Sequence, residues 1–391
     1  MSESSEAMLP EAKIDDEMIK EVRKYIGLKL RTKDSISNKE ATEIAIHKFA
    51  DGIGDTNPLW TDPEYAAKTR YGKIMAPPSW VFSVFAAVHY GFRALGGFHS
   101  SSDIQFYQPV LEGDAITPEM TCTDIEGPKK SAFAEKTLIE CSENLYKNQR
   151  GDVVTKLDFK VTHFERLQAR KKGKYQVLQL PHPWTQEELE RIEEEVLNEQ
   201  TSGANTPSWD DVEVGQKLKP VVKGPITMTD EIAFLIGGGA PIPRITAHRT
   251  ALKFYRRHPA WAFRDPVSCG LEPMYAVHYN HAAARAQALP YPYDVGFQRH
   301  CWQIHLLTNF AGDGGWVKRS SMELRRHVYF SDVVRLEGTI TEKFIDEDNE
   351  CCVKIETTAT NQRGEEVMPG YGVVALPSGR HSYDPLEKRI P

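Results

Sequence analysis

Between Thr42 and Gly54 the apolar side chains Ile44, Ile46, Phe49 and Ile53 recur at helical spacing, and the closing glycine predicts a C-terminal cap. Similar periodicity predicts a short amphipathic helix over Asp16–Ile26 and a further helical turn or two over Pro63–Arg70. After Ala76-Pro77-Pro78 the stretch SWVFSVFAAVHYGF is apolar almost throughout, and a helix of that kind must be enclosed on every side. Four strand-like runs follow, Ser101–Gln108, Ala115–Ile125, Phe133–Asn144 and Val153–Phe164, separated by Gly, Pro, Asp and Asn. One enclosed helix followed by antiparallel strands predicts a curved sheet wrapped around that helix.

The pattern then runs a second time. Tyr107-Gln-Pro-Val-Leu-Glu-Gly-Asp114 is echoed by Arg326-His-Val-Tyr-Phe-Ser-Asp332, and Asn148-Gln-Arg-Gly151 recurs letter for letter as Asn361-Gln-Arg-Gly364. Upstream, Met228–Gly239 parallels the helix that ends before Asp55, and Phe297–Phe310 parallels the enclosed helix. The chain therefore divides into a disordered lead (1–15), a first sheet-and-helix domain (16–166), a connector with one helix opened by the capping box Thr185-x-x-Glu188 (167–210), and a second domain (211–380). The segment 241–272 has no counterpart in the first half. The expected class is α+β, an internal pseudo-dimer.

Gly54-Asp55-Thr56-Asn57-Pro58 cannot continue a helix, so Asp55 is expected on a tight turn at a helix end. Such a turn holds a carboxyl rigidly beside an apolar pocket, which raises its pKa toward values useful for proton transfer. The plain alternative is an Asp that caps its own turn, with Asn57 either orienting it or stabilising the turn.

The run from Phe49 to Asp62, FADGIGDTNPLWTD, resembles the MaoC-like acyl-CoA hydratase/dehydratase family, whose motif reads roughly aromatic, then Gly-Asp-x-Asn-Pro-aliphatic-His-x-Asp. Over about residues 20–378 the chain is similar to double-hotdog acyl dehydratases, with a first half like the fatty-acid-synthase-type dehydratase domain and a second half like a MaoC domain. The resemblance implies two fused hotdogs and reversible hydration of a 2-enoyl thioester. It also implies three working parts: the motif Asp, the motif His, and a backbone N–H at the start of the enclosed helix, usually from glycine.

Each half departs from that set. In the first, Asp55 is present, but Trp60 stands at the His position and is expected to pack against acyl chain or core; Pro77 replaces the glycine, so Ser79 is the first possible N–H donor. In the second, Gly238 or Gly239 stands where the Asp belongs, while Val277-His278-Tyr279-Asn280 and Asp294-Val295-Gly296 fit the His and helix-start portions. Asp55 and His278 are thus the catalytic candidates, with Asn57, Trp60, Asp294, Gly296 and Arg299 as substrate contacts. Glu272, Asp265, His248 and Arg256-Arg257-His258 are reserve candidates. The second enclosed helix carries Arg299, His300, His305 and Asn309, which are expected to line a wet or substrate-bearing pocket or to cover a sheet edge.

Composition narrows the remaining options. A net charge of −7 gives no reason to expect nucleic acid or an anionic membrane as partner, and no apolar run reaches transmembrane length. Six scattered cysteines lack metal-site spacing, and the acidic N-terminus lacks the layout of a secretory signal, so the expected setting is reducing cytosol. No metal or redox cofactor is expected; coenzyme A or an acyl carrier protein enters only as part of the substrate. The partner classes are an acyl-CoA thioester and a second copy or a separate hotdog hydratase. A non-catalytic acyl-CoA-binding subunit and a hotdog thioesterase remain as alternatives.

Overall fold

The computed structural model describes residues 10–30, 32, 36–84, 91–172, 178–238 and 245–390. The first half opens with α1 (Asp16–Arg23), capped by the Asp15 carboxylate, and the preceding Ile14 is already buried with Val22 against the sheet. Only residues 10–15 of the expected lead lie within the described residues. Next comes α2 (Glu43–Ile53), stopped at Gly54 by a left-handed φ of 63°, where the Asp55 N–H donates back to the Ala50 carbonyl at 3.0 Å. Two one-turn helices begin on prolines, α3 (Pro58–Thr61) and α4 (Pro63–Ala66). The enclosed helix starts as a 3₁₀ turn at Pro78–Trp80 and continues as α5 (Val81–Val84); the rest of the expected helix, residues 85–90, lies outside the described residues.

Around it run β1 (Gly96–Phe106), β2 (Thr117–Lys129), β3 (Thr137–Lys147) and β4 (Val153–Phe164). β1 begins five residues earlier than expected, in a Gly-Gly pair that reads as a loop. Gly96 is required there, because a Cβ would lie 2.3 Å from the Phe164 ring. The connector supplies α6 (Arg166–Lys172) and α7 (Gln186–Leu197), the latter with the expected capping box and with Ile192 buried against Val222 and Val333. The second half repeats the plan with β5 (Val221–Lys223), α8 (Met228–Ile236), α9 (His248–Arg257), the small hairpin of β6 (Ala262–Arg264) and β7 (Leu271–Pro273), α10 (His281–Ala286), α11 (Gly296–Ala311), β8 (Trp316–Glu323), β9 (Val334–Ile345), β10 (Cys351–Asn361) and β11 (Glu366–Ala375).

Nine strands form one sheet in the order β2-β3-β4-β1-β8-β11-β10-β9-β5. Reading outward from the centre, the first four strands of each half follow the same order, with β5 added at the outer edge of the second, and the two halves meet where β1 pairs antiparallel with β8, Ser101 opposite Glu323 and Gln105 opposite Arg319. The result is two fused hotdogs related by an internal pseudo-twofold axis. The echoes in sequence are echoes in geometry. Asn148 and Asn361 each accept two backbone N–H groups through Oδ1, from Arg150 and Asp152 in one turn and from Arg363 and Glu365 in the other. Asp114 and Asp332 each hold the N–H three residues earlier, at 2.9 and 3.0 Å.

The same axis relates the crossing of α2 and α8. A Cβ on Gly52 would sit 2.7 Å from the Ala233 carbonyl oxygen, and one on Gly237 would sit 2.6 Å from that of Lys48. The contact is isologous, each helix offering its glycine to the other's backbone. Of the residues expected opposite Asp55, Gly238 closes the described part of this segment and Gly239 lies outside the described residues.

Among the described residues no helix is long and apolar enough to cross a membrane. Of Arg299, His300, His305 and Asn309 on α11, Arg299 borders a cavity as expected, and the others border none found among the described residues. His300 and Gln303 instead bond to hydroxyls and carbonyls of the central strands, while His305 and Asn309 face the connector.

Candidate functional site

The pseudo-twofold axis creates two equivalent places for a site, each at the start of an enclosed helix and walled by the central strand of the opposite half. They differ in their contents. At the first, Trp60 is 2% exposed and packs with Trp316 and Pro78 around a void of only about 20 Å³. Asn57 Oδ1 is spent capping α3 by accepting the Leu59 N–H at 3.0 Å. Among the described residues the only space the two border is that void, which does not suit their expected role as substrate contacts: the indole that replaces the motif His fills the pocket it was expected to border.

Asp55 lines none of the cavities found among the described residues. It is 2% exposed, its Oδ1 accepts the Asn57 N–H at 3.1 Å, and it lies 3.3 Å from Nε2 of His305 on α11. The same Nε2 is 2.7 Å from Glu199 of the connector, to which Asn309 also donates, and Lys223 lies 3.6 Å from Glu199 while donating to the Gly54 carbonyl. Burial raises the Asp55 carboxyl, opposed by His305, the Asn57 N–H and Lys223. Burial also pushes Glu199 up, but His305, Lys223 and Asn309 together hold it at about 2. This cluster joins first half, connector and second half. Glu199 carries no sequence signal beyond a helical, acidic surface pattern.

The second place is open. A cavity of about 320 Å³ reaches the start of α11 at Asp294–Phe297, between Phe98 and His99 of β1 and Leu324–His327. A second cavity of about 200 Å³, walled by Arg93, Arg166, Trp261 and Met274, meets it. Four residues line both: Gly97, His99, His278 and Tyr293. These four residues are therefore the shared wall, or waist, at which the two cavities adjoin.

His278 and Gly296 line the same cavity. Nδ1 of His278 lies 2.9 Å from the Tyr293 carbonyl, which can only accept, so the Nδ1 proton is fixed and Nε2 is left as the basic nitrogen. Burial pushes the imidazole down to about 4, against its backbone hydrogen bonds at Tyr293 and Asp294, and it is neutral at pH 7. Gly296 is confined: a Cβ would fall 2.6 Å from Nδ1 of His99 and 2.7 Å from Leu324.

Asp294 and Arg299 also line the passage, but their polar atoms are committed elsewhere. Nε and Nη2 of Arg299 donate to the two Asp294 oxygens at 2.8 and 2.5 Å, and Nη1 donates to the Arg326 and Val367 carbonyls. The pair fixes the helix start against the neighbouring loop instead of presenting charge to a ligand, which corrects their assignment as substrate contacts. Of the reserve acids, Asp265 is taken up by the Ser268 N–H and the Asn280 side chain. Neither Asp265 nor Glu272 lines the passage, and His248, Arg256 and Arg257 are exposed on α9. Glu231, fully buried on α8, is pushed well above the usual carboxyl range by burial and by Asp294 and Asp230, and it too lies outside the passage. His99 is the functional candidate that sequence reasoning missed, since it stands in a Gly-Gly-Phe-His-Ser-Ser-Ser run that matches no motif.

Comparison with known proteins agrees with this architecture. Residues 30–157 match the family model described as the FAS1-like, dehydratase domain region. A UPF0336 protein of Thermobifida fusca is 29% identical over 114 residues, 27% of this chain and 72% of its own length. A probable enoyl-CoA hydratase alpha subunit of Thermomonospora curvata is 27% identical over 139 residues, 30% of this chain and 43% of its own. Among solved structures, a MaoC-like dehydratase superposes over 92% of this chain and 100% of its own with a TM-score of 0.61 at 14% identity. A Mycobacterium tuberculosis protein with a double hotdog fold covers 90% of this chain and 95% of its own with a TM-score of 0.52 at 10% identity. The fold is thus the double hotdog of MaoC-like dehydratases.

Proposed function

We propose that this double hotdog, whose first half matches a dehydratase region, is a hydro-lyase that reversibly adds water to a 2-enoyl thioester of coenzyme A or a carrier protein, at the waist of the open passage and not at Asp55. The observation that carries the reading is that a neutral histidine, its Nδ1 held by the Tyr293 carbonyl, and the glycine start of a helix border the same cavity. In the proposed reaction Nε2 of His278 takes a proton from water as the oxygen bonds to the β-carbon. The double-bond electrons move toward the thioester oxygen, where the free N–H groups and dipole of α11 stabilise the developing charge. The imidazolium then returns its proton to the α-carbon, so one water is added and His278 is restored. Acyl chain and pantetheine arm would occupy opposite arms of the passage. Water and the chain's own groups suffice for these steps.

Purified chain is expected to consume crotonyl-CoA or a longer enoyl-CoA, followed by loss of enoyl-thioester absorbance, and His278→Ala to reduce kcat by at least about 100-fold. Full activity in His278→Ala would remove the mechanism. A second reading, an acyl-thioester-binding subunit that supports a separate hydratase, is favoured by one observation: the only carboxylate among the described residues that line the passage, Asp294, is tied up by Arg299. The alpha-subunit relative is consistent with it. Turnover that appears only when a partner hydratase is added would decide for that reading.

A further inference from the structure

The segment 241–272, which has no counterpart in the first half, reaches the smaller cavity. Its hairpin pairs Arg264 with Leu271 and Ala262 with Pro273, so the next residues outward, Trp261 and Met274, leave the two strands together. Phe263, 3% exposed, anchors the hairpin in one apolar cluster with Ala276 and Val277. Trp261 closes a 3₁₀ turn, Pro259–Trp261, in which its N–H donates to the His258 carbonyl at 3.0 Å. Met274 opens another, Met274–His278, whose last residue is the histidine at the waist. Ala260 and Trp261 from the first turn and Met274 from the second line the smaller cavity and not the larger. One short element thus joins the proposed base to the wall that the added segment builds.

What surrounds this cavity presents mostly carbon to it. Phe92, Leu95, Val161 and Val277 are buried and apolar. The polar side chains are spent on the protein: Arg166 donates to Gln287 and to the carbonyls of Pro10, Ala94 and Leu95, and His163 lies 3.1 Å from Glu140. The Tyr275 hydroxyl is shut off from solvent. Among the described residues that line it, Arg93 is the only exposed arginine or lysine, whereas the larger cavity borders Arg325 and Arg326, whose side chains are 58% and 50% exposed. The amides of a carrier arm would lose their hydrogen bonds in the smaller space, and its phosphates are drawn to the paired arginines of the larger one. A run of methylenes loses nothing there. At about 30 Å³ for each water-sized group, a cavity of about 200 Å³ holds roughly six or seven of them.

We propose that the smaller cavity is the acyl subsite and that Trp261, with Met274 beside it, forms its end wall, so that the added segment limits the thioesters accepted to an acyl chain of about eight carbons. The inference rests on the thioester reading above, but not on turnover. Trp261 takes no part in proton transfer; it determines specificity by the volume it occupies. Each methylene seated in the cavity adds up to about fourfold in affinity, and the first to meet the indole has to displace it.

Isothermal titration of the full chain with butyryl-, octanoyl- and dodecanoyl-CoA reads the subsite without catalysis; kcat/KM for crotonyl-, 2-octenoyl- and 2-dodecenoyl-CoA reads it with catalysis. The wild type should bind octanoyl-CoA at least about tenfold more tightly than butyryl-CoA and gain nothing further with dodecanoyl-CoA. Trp261→Ala should raise the dodecanoyl-to-octanoyl affinity ratio, and the matching kcat/KM ratio, by at least about tenfold. Ala260→Phe, which adds volume to the same wall, should lower the octanoyl-to-butyryl ratio, and it judges the proposal alone should Trp261→Ala not fold. If the ratios are unchanged in the variants while wild type hydrates and His278→Ala does not, the subsite is overturned and the hydratase reading survives. A change of equal size for every chain length would place the carrier arm there and overturn it too, as would wild-type affinity that climbs steadily through dodecanoyl-CoA. If the affinity ratios move as expected but no enoyl thioester is hydrated, the subsite stands and catalysis by this chain falls. If no acyl thioester binds, both fall.

Discussion

Replacing Asp55 by Asn separates the motif from the geometry more sharply than any other single change. The variant keeps an Oδ1 that accepts the Asn57 N–H, so the turn after Gly54 is preserved, while the ionisable carboxyl 3.3 Å from His305 is removed. Breaking a buried ion pair by deleting one partner costs about 3–5 kcal/mol when the other is left alone. Here it is not left alone, because Glu199 remains 2.7 Å from His305 and 3.6 Å from Lys223. The expected cost is therefore nearer that of a lost charged hydrogen bond, about 1–3 kcal/mol. Spread over the unfolding entropy of a chain of 391 residues, that is a fall in Tm of about 1–4 °C. Scanning calorimetry measures the first quantity and enoyl-CoA hydration the second, where kcat should stay within about threefold of wild type, far from the loss of about 100-fold or more expected for an acid/base group. A loss of that size at unchanged Tm would refute the reasoning and return the chemistry to the first half.

Other substitutions probe the axis and the passage. Gly52→Ala and Gly237→Ala each press a Cβ to within 2.7 and 2.6 Å of a backbone oxygen, so each should cost about 1–3 kcal/mol in urea unfolding with kcat unchanged, and the two costs should be similar. Gly296→Ala, by contrast, meets His99 and Leu324 in the passage itself and should depress hydration by about 100-fold or more at a comparable stability cost; wild-type rates would place the reaction elsewhere. Acid should destabilise the fold through His300. Its folded pKa of about 3 lies below the unfolded value, so as pH drops below about 6.5 the unfolded chain gains a proton that the folded chain refuses. Stability is therefore lost between about pH 6.5 and 3, by about 2 kcal/mol at pH 5 from this group alone. His300→Gln should flatten the difference in urea-unfolding free energy between pH 7 and pH 5 by that amount, and an unchanged difference would show that the group does not titrate this way. Activity that depends on neutral His278 should hold from pH 8 to about 5 and fall only near its pKa of about 4, provided the fold survives; a fall centred near 6.5 would contradict the buried state of the ring.

Features written in local sequence were legible. The Asn-Gln-Arg-Gly turns need an Asx side chain and a left-handed glycine, and both copies have them, with φ of 90° at Gly151 and 72° at Gly364. The cap at Gly54 and the helix start at Gly296 are equally local. What the pattern did not reveal was three-dimensional. Trp60 read as a lost histidine, but only its proximity to Trp316, which is distant in sequence, shows that the first site is filled. The ion cluster at Asp55 draws Glu199 from a segment that reads as a solvated helix end. The polar face of α11 suggested water because its partners, Ser102, Ser320 and the Tyr371 carbonyl, sit on strands that reach it only when the halves join. His99 belongs to the same class, for nothing in a strand's alternation says which cavity it will border.

The pairing of β1 with β8 makes the two halves inseparable as working units. A fragment cut in the connector and carrying only residues 211–380 would keep His278 and Gly296 yet lose the Phe98 and His99 wall, and would present the naked backbone of β8 to solvent. The first half, with its Gly-Asp turn and its tryptophan-filled hollow, thus supplies one wall of the cavity at its neighbour's helix start.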